Sequence, residues 1–456
     1  MKNKKSISMI LAAAVLSTGI SFMPARASAV TKDSVKVESK EQKKNVKAAV
    51  QKAIKDLNEE NIKEARKMVA EIEDTNLRTI YNKALEYNIY KNMDKKISPV
   101  DELMVAFDKT SKVTSCESNI KVDLNMEGKN LTQEEIQNFA PIMQIINGIK
   151  IDGKSKFVGN GKNTQISTKS DFNLSFMNQI YKMSAWIDMN MEGKDQKMKY
   201  VITIPEAIKA FSPELKGKDY FVYDSEKLTK ELAQNADYEK IMESSMKFGN
   251  KMQGAMVDFL RAADAKFNLV TRKDKQAVTV GNTKENVDLY QIKLDNEKLT
   301  EVIKFALQDK EMNKIIKDYV KFSINLGAEM QNQEVSAEEL KEMEKEVDEG
   351  LNQLVVMLEE LNKSVKYEVV FDFGVNKDGY ISYQTGSIKF TVDAGKLQGA
   401  DSKSQYTFVI KFSGDAYNIN EKVNIEAMPE VNEKNSIDYV ELLKKGMSEE
   451  SEKEAA

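Results

Sequence analysis

The chain has 456 residues, a formal net charge of −4, no histidine and a single cysteine, Cys116. The lack of histidine removes the commonest general base, the commonest metal ligand and every Ser–His or Cys–His nucleophile pair. One cysteine excludes an intrachain disulfide, and the negative charge argues against a nucleic-acid partner. Because no other nucleophile–base set is visible, we expect no enzymatic activity.

The N-terminus has the pattern of a secretory signal peptide. Residues 2–5 include three lysines, residues 7–22 are apolar, and Ala27-Ser28-Ala29 is a small-residue cleavage site. We expect residues 1–29 to be removed and the mature protein to begin at Val30, secreted or associated with the cell surface. A membrane anchor is the alternative interpretation, although the apolar segment is short. No cysteine stands at the cleavage site, which excludes a lipobox.

A small helical module is predicted next. Residues 30–43 are polar and are interpreted as a spacer, whereas residues 44–97 contain three apolar stripes at helical spacing. The stripes are Val46, Val50, Ile54 and Leu57; Ile62, Ala65, Val69 and Ile72; and Leu77, Ile80, Ala84 and Leu85, with Thr75 as the expected cap of the third helix. The basic face of this module could contact an anionic cell wall or membrane surface, and a solvated face is the alternative.

Residues 120–204 contain the clearest periodic pattern of the chain. Apolar residues stand at every second position from Ile120, Ile166, Tyr181 and Met198, which predicts antiparallel strands with one dry face. Candidate residues lining a cavity for an apolar ligand are Met126, Phe172, Phe176, Met183, Ile187, Met189, Met191, Met198 and Tyr200. Methionine suits an adaptable apolar pocket, although the same residues could simply form a core.

Residues 98–430 are predicted to form one domain with long helical insertions. Capping boxes at Thr132–Glu135 and Ser336–Glu339, and a cap at Asp295, predict three helix starts. The helix that begins after Ser336 has an apolar seam close to a heptad repeat. This pattern favours packing against a neighbouring helix or the sheet, and a dimer interface is the alternative. The seam consists of Leu340, Met343, Val347, Leu351, Leu354, Leu358 and Leu361.

One-faced strands return from Val365 onwards. Gly386 is predicted to mark a bulge, because the apolar phase changes between Tyr383 and Ile388. Residues 423–427 are predicted as the last strand and residues 436–443 as a short helix. Residues 431–456 then form a C-terminal segment with an acidic tail.

No cofactor or metal site is expected. Residues 376–382 resemble the middle of a calcium loop, but the positions that should supply the outer carboxylates are Gly374 and Thr385. Trp186 stands on the polar face of its strand. It could cover a sheet edge, pack under a loop or mark a contact site.

The order of elements resembles the LolA-like lipoprotein carriers and the related lipid-binding proteins of the LppX type. Residues 99–430 carry the likeness: a short helix enters one-faced strands, the strand ending Tyr290–Asp295 runs into a helix, and further one-faced strands follow. The resemblance implies an α+β fold, with a curved antiparallel half-barrel covered on its concave side by long helices and preceded by the helical module.

Two functions follow from this resemblance. The first is an exported, non-catalytic carrier or sensor of a lipid, a lipoprotein or another apolar ligand in the cell envelope. The alternative is a secreted or cell-surface interaction protein, or scaffold, with a solid core and no small-molecule ligand. The chain departs from the family in lacking a lipobox cysteine and in having long helical insertions.

Overall fold

The computed structural model describes residues 40–72, 74–161, 164–177, 179–192, 197–209, 215–227, 238–330, 336–398 and 403–439. The predicted signal peptide, residues 30–39 of the predicted spacer and residues 440–456 of the predicted C-terminal segment lie outside these ranges.

Three helices open the described chain: α1 (Lys40–Lys55), α2 (Glu59–Ala70) and α3 (Thr75–Lys91). The helix α1 therefore includes the last four residues assigned to the spacer. The predicted cap of α3 is wrong by one residue, because the Asp74 side chain accepts the backbone N–H groups of Asn76 and Leu77. Most residues of the stripes pack in or against one buried cluster, but the prediction is wrong for Ile80, which is 60 % exposed. The cluster consists of Val46, Val50, Ala53, Ile62, Ala65, Val69, Ile72, Leu85, Ile89 and Ile97.

The first part of the sheet follows helix α4 (Pro99–Thr110), which has proline at its first turn, where a missing N–H costs no hydrogen bond. It comprises β1 (Ser115–Lys129), β2 (Lys150–Gly159), β3 (Gln165–Phe176), β4 (Gln179–Asn190), β5 (Lys197–Thr203) and β6 (Tyr220–Asp224), with helices α5 (Gln133–Asn147) and α6 (Glu206–Lys209) between strands. The predicted capping box of Thr132 and Glu135 at the start of α5 is confirmed.

The second part contains the long helices. Its elements are α7 (Tyr238–Phe267), β7 (Val270–Arg272), β8 (Gln276–Val280), β9 (Thr283–Asp295), α8 (Asn296–Gln308), α9 (Lys310–Met330), α10 (Ala337–Ser364), β10 (Val365–Val375), β11 (Ile381–Asp393), α11 (Ala394–Gln398), β12 (Gln405–Tyr417) and β13 (Ser436–Asp438). The caps predicted at Asp295 and at Ser336 are both confirmed. In the seam of α10, Val347 and Leu351 are buried, and the helix packs against α8, α9 and β10.

Within the described residues, thirteen strands form one large, curved and unclosed sheet, and the prediction of an α+β protein with an antiparallel sheet is confirmed. The strand order is β13-β6-β5-β4-β3-β2-β1-β12-β11-β10-β9-β7, with β8 paired to β9. Two antiparallel meanders are thus joined where β1 pairs with β12. The short strand β13 is parallel to β6, so the sheet includes residues beyond Glu430.

The register places the predicted dry residues of both meanders on one side, which we call the apolar face. Directly paired residues point to the same side of a sheet. One row across the sheet is Leu174, Ile151, Val122, Phe412, Gly386, Phe371 and Ile292. Around β9 and β10 this face is buried beneath α4 and α7, and the rings of Phe107 and Phe373 meet edge to face at 5.1 Å.

The predicted strand at residues 423–427 is wrong. Residues 418–435 instead form an irregular segment, which we call the strap, that crosses the opposite, polar face from β1 to β6. Asn420 bonds to Ser115 at one end, and Asn435 accepts the backbone N–H groups of Asp219 and Tyr220 at the other. The predicted helix is also wrong for residues 436–438, which form β13, because the edge of β6 offers unpaired backbone groups there.

Buried charges join the N-terminal helices to the rest of the molecule. Asp101 of α4 is fully buried and accepts hydrogen bonds from Arg66 of α2 at 2.6 Å, from Arg261 of α7 at 3.1 Å and from Ser98 at 2.6 Å. In α3, Arg78 pairs with Asp309, the residue that precedes α9, and both side chains are buried. The helices α1–α3 therefore share charged contacts as well as apolar contacts with the main body.

Asp264 gives a first testable prediction, because within the described part of the chain its buried carboxylate accepts one hydrogen bond, from the Val270 N–H at 2.7 Å. Burial raises its pKa above the ordinary value of 3.8. The folded state therefore holds the proton more tightly than the unfolded state. Stability falls as the pH rises from the ordinary pKa of 3.8 through the raised pKa of the folded state. Asp264→Asn keeps the acceptor oxygen without the charge, so we expect an equal or higher free energy of unfolding at neutral pH.

Urea unfolding of wild type and Asp264→Asn at neutral pH and at about pH 5 measures this effect. On acidification, the free energy of unfolding should rise more in the wild type than in the variant. A variant that is clearly less stable at neutral pH would show instead that the charge is held by attraction to Lys63 and Arg66.

Candidate functional site

The predicted lining residues lie on the apolar face of the first meander. The register brings Phe172 opposite Met183, Ile187 opposite Tyr200, and Met189 opposite Met198. Phe176 ends β3 on the same face, and Met191 lies one residue beyond β4. Eight of the nine candidates thus belong to, or directly adjoin, strands β3, β4 and β5.

Met126 has a different environment from the other eight. It pairs with Phe408 of β12 and is buried beneath helix α5, where Phe139, Met143 and Ile146 pack against it. Its contacts are those of a core residue that fixes α5 on the sheet. The helix α5 therefore stands at one side of the group formed by the other candidates.

The apolar face is buried at β7 and β9 but half-exposed across most of the other strands, where Phe371 is half-buried and Phe390 is 37 % exposed. In the second meander Val270 and Tyr290 are buried. In the first meander the candidate residues Phe172, Met183 and Ile187 are only half-buried. Ile120, near the middle of the face, is 41 % exposed. Large apolar side chains half-exposed on several adjacent strands are typical of a binding surface rather than of a closed core.

Gly153 shapes the middle of this surface. It pairs with Phe172 on one side and Ile120 on the other, and a Cβ at this position would lie 2.7 Å from the Phe172 ring and 2.9 Å from Ile120. The ring and the isoleucine therefore lie over bare backbone. The two side chains thus fill the space that a side chain at residue 153 would occupy.

An aromatic cluster closes the β6 edge of the surface. The rings of Tyr200 and Tyr223 are 5.7 Å apart, and Tyr439 lies 5.7 Å from Tyr223 and 6.0 Å from Phe221. Of these residues only Tyr200 was a sequence candidate. The alternation of Phe221 and Tyr223 in the sequence could have predicted that both lie on one face of β6. The approach of Tyr439 could not be predicted in this way, because it depends on the parallel pairing of β13 with β6.

The polar face carries charged side chains and the strap. Glu426 of the strap accepts a hydrogen bond from Lys156 at 2.8 Å and lies 3.9 Å from Lys169. The Lys169 ammonium lies 5.7 Å from the centre of the Trp186 ring. The indole N–H of Trp186 is buried and has no hydrogen-bond partner among the described residues. These positions agree with the expectation that Trp186 packs under a loop.

A cavity of about 560 Å³ opens on the polar face, between β6 and the end of the strap. Its lining includes three lysines and three carboxylates, Lys199, Lys227, Lys434, Asp224, Glu433 and Asp438. Lys227 and Asp438 form an ion pair at 3.0 Å. The cavity therefore offers charges of both signs beside the apolar side chains of Val222 and Val431.

Two sequence features have structural rather than chemical roles. Burial and the nearby Glu117 carboxylate raise the pKa of the Cys116 thiol to about 11, so the nucleophilic thiolate is scarce at neutral pH. In the calcium-like loop, Asn376 accepts the backbone N–H groups of Asp378 and Tyr380, both at 3.0 Å, as in a tight turn. Among the described residues, no group of three or more acidic or cysteine side chains is arranged to hold a metal ion.

None of the described helices is both long enough and apolar enough to cross a membrane. Comparison of the chain with protein-family models, with curated proteins and with solved structures found no match.

Proposed function

We propose that this is an exported, non-catalytic protein that binds a lipid or another apolar ligand in the cell envelope, as a carrier or a sensor. The observation that carries the proposal is the half-exposed apolar face of β2–β5, formed by aromatic, methionine and isoleucine side chains. Such surfaces are costly to leave in water, and ligand sites are mainly apolar with few polar groups.

The proposed architecture is a half-barrel whose curved sheet wraps around the ligand and some of the helices. This architecture is supported by the way the helices cover one continuous face unequally. The helices α4 and α7 cover the face at β9 and β10, and α5 covers only the part near Met126. The ligand would occupy the remaining part, over Gly153, Phe172 and Met183. Methionine can adapt to acyl chains of different shape because it is unbranched.

The proposal is tested by ligand binding to the purified full-length chain. Native mass spectrometry with lipid extraction identifies a co-purified ligand, and an apolar fluorescent probe measures the affinity. The variant Met183→Glu places a charge on the apolar face, and we expect it to weaken probe binding at least about tenfold, because the carboxylate would be desolvated by the ligand.

Asn173→Glu is the matched control, because Asn173 is exposed on the polar face and lies next to Phe172. It should bind the probe as wild type does. Both variants are first checked for an unchanged melting temperature. A wild-type protein that carries no lipid and binds no apolar probe would exclude the carrier and favour the scaffold, the second function considered for this sequence.

A further inference from the structure

Two uncharged segments meet at one end of the sheet. Charged residues make up 31 % of the chain, yet residues 136–149 and residues 172–181 contain none. The first segment covers most of α5 and the start of β2, and the second covers the end of β3 and the start of β4. Lys150 pairs with Ser175, so the two segments lie side by side at the same end.

Four exposed apolar side chains belong to these two segments. Ile136 and Ile142 of α5 are each 45 % exposed, and Met177 and Ile180 at the β3–β4 turn are 56 % and 67 % exposed. The C-terminus of α5 touches the turn, since a Cβ on Gly148 would lie 3.9 Å from the Met177 nitrogen. We call Ile136, Ile142, Met177 and Ile180 the apolar tip.

The backbone at the turn is strained at an exposed methionine, Met177. Met177 has φ of +49°, in the left-handed region that glycine and asparagine adopt with least cost. An asparagine at position 177 would suit this backbone better. A bulky apolar residue kept at a strained and exposed position suggests a role outside folding.

The charges that border the tip match a lipid surface. The two acids that flank the uncharged segments, Glu135 and Asp171, are hydrogen-bonded by Ser404 and by Lys169 and Ser184. The flanking bases, Lys150 and Lys182, are exposed. Two exposed acids lie near them on the same face: Asp123, directly opposite Lys150, and Asp152, one pair further from the turn. Each is also paired with a further exposed lysine, Lys411 and Lys121, so lysines outnumber acids at this end of the sheet. Lysines beside an uncharged apolar tip can reach lipid phosphates while the tip enters the interface.

We propose that the apolar tip inserts into the interfacial layer of a phospholipid membrane, with Lys150 and Lys182 facing the phosphates. This deepens the proposed function, on which it rests in part: the tip lies at the end of strands β3 and β4, which carry Phe172 and Met183 on their apolar face and Ile180 on the other. Docking through the tip would bring that end of the apolar face to the membrane. The occupant is the lipid surface itself rather than a protein partner.

Vesicle flotation of the full-length mature chain tests this proposal, with phosphatidylglycerol vesicles and phosphatidylcholine vesicles as probes. The variant Met177→Asn with Ile180→Thr removes apolar surface without adding charge. We expect it to bind both vesicle types about tenfold more weakly while its melting temperature stays equal or rises. Ile80→Gln is the control, because Ile80 is 60 % exposed on α3, outside the tip, and its loss should leave vesicle binding unchanged.

The lysines have a separate readout. Lys150→Gln with Lys182→Gln should weaken binding to phosphatidylglycerol vesicles and leave binding to phosphatidylcholine vesicles unchanged, because only the former carry net charge. Vesicle binding that is absent in wild type, or equal in wild type and the tip variant, would overturn the proposal. A dimer that the tip variant converts to a monomer would overturn it too, and would assign the tip to self-association.

The apolar-probe assay without vesicles separates this proposal from the proposed function. The tip variant should still bind the probe, since Met183 and Ile187 are unchanged. A chain that binds vesicles through the tip but binds no probe would support membrane docking and exclude the carrier.

Discussion

Replacement of Asp101 by alanine is expected to lower the free energy of unfolding by about 3–5 kcal/mol, the usual cost of removing one partner from a buried ion pair. The carboxylate is fully buried and accepts hydrogen bonds from Arg66, Arg261 and Ser98. Without it, two buried guanidinium groups lose their main counter-charge. Arg66 and Arg261 are themselves buried, so water cannot replace the lost carboxylate.

Urea unfolding followed by circular dichroism measures this effect. The control is Glu360→Ala, which removes an exposed pair with Lys363 and should change the free energy of unfolding by about 0–1 kcal/mol. Equal effects of Asp101→Ala and Glu360→Ala would contradict the assignment of Asp101 as the charge that joins α2, α4 and α7.

The same carboxylate predicts how stability depends on pH. Burial alone would raise the pKa of Asp101, but Arg66, Arg261 and the Ser98 hydroxyl outweigh it and hold the pKa below the ordinary value of 3.8. Its contribution is therefore fully present above about pH 4 and is lost as the pH falls from there through the lower folded-state pKa. Asp101→Asn should show a shallower loss of stability on acidification than wild type.

Replacement of Gly386 by valine is expected to lower the free energy of unfolding by about 1–3 kcal/mol, because the added side chain overpacks this part of the sheet. Gly386 lies between Phe371 of β10 and Phe412 of β12, and the Phe412 ring covers the place where a Cβ would stand. A valine would displace this ring and the Phe371 ring, which is 5.4 Å from it. Both rings belong to the apolar row that crosses the sheet.

Gly249→Ala is the matched control, because, apart from the backbone of its own helix, no atom of the described residues lies within 4 Å of a Cβ at that position. It should raise stability by about 0.5–1 kcal/mol, since alanine is the better helix former. If Gly386→Val is as stable as wild type in urea unfolding, the two rings do not depend on the bare backbone at residue 386.

Gly386 also shows where sequence reasoning failed. The change of phase between Tyr383 and Ile388 was assigned to a bulge at Gly386, but the pairing passes through Gly386 without interruption, and the register shifts where Gly374 and Val375 oppose Tyr383 and Ile381. The bulge therefore lies at Ser382. Tyr383 faces the other side of the sheet and packs on the β8–β9 hairpin, a partner about a hundred residues away in sequence.

The local features were readable from the sequence because their causes lie within a few residues. The capping boxes at Thr132 and Ser336 need only a side chain three positions away, and the strand alternation in residues 120–204 needs only a period of two. The same alternation placed the candidate residues of β3, β4 and β5 on one face. It could not distinguish Met126 from the others, because the burial of Met126 depends on where α5 packs.

Tertiary structure alone decided the long-range pairings. The sequence by itself determined the α+β class, the caps at Thr132, Asp295 and Ser336 and the one-faced strands, since hydrogen bonding and side-chain direction act over short distances along the chain. It did not determine that Asp101 would meet Arg66 and Arg261, that residues 418–435 would cross the polar face, or that two uncharged segments would share one sheet end. Those contacts join residues tens to hundreds of positions apart, and no local pattern of residues specifies which distant surface will cover another.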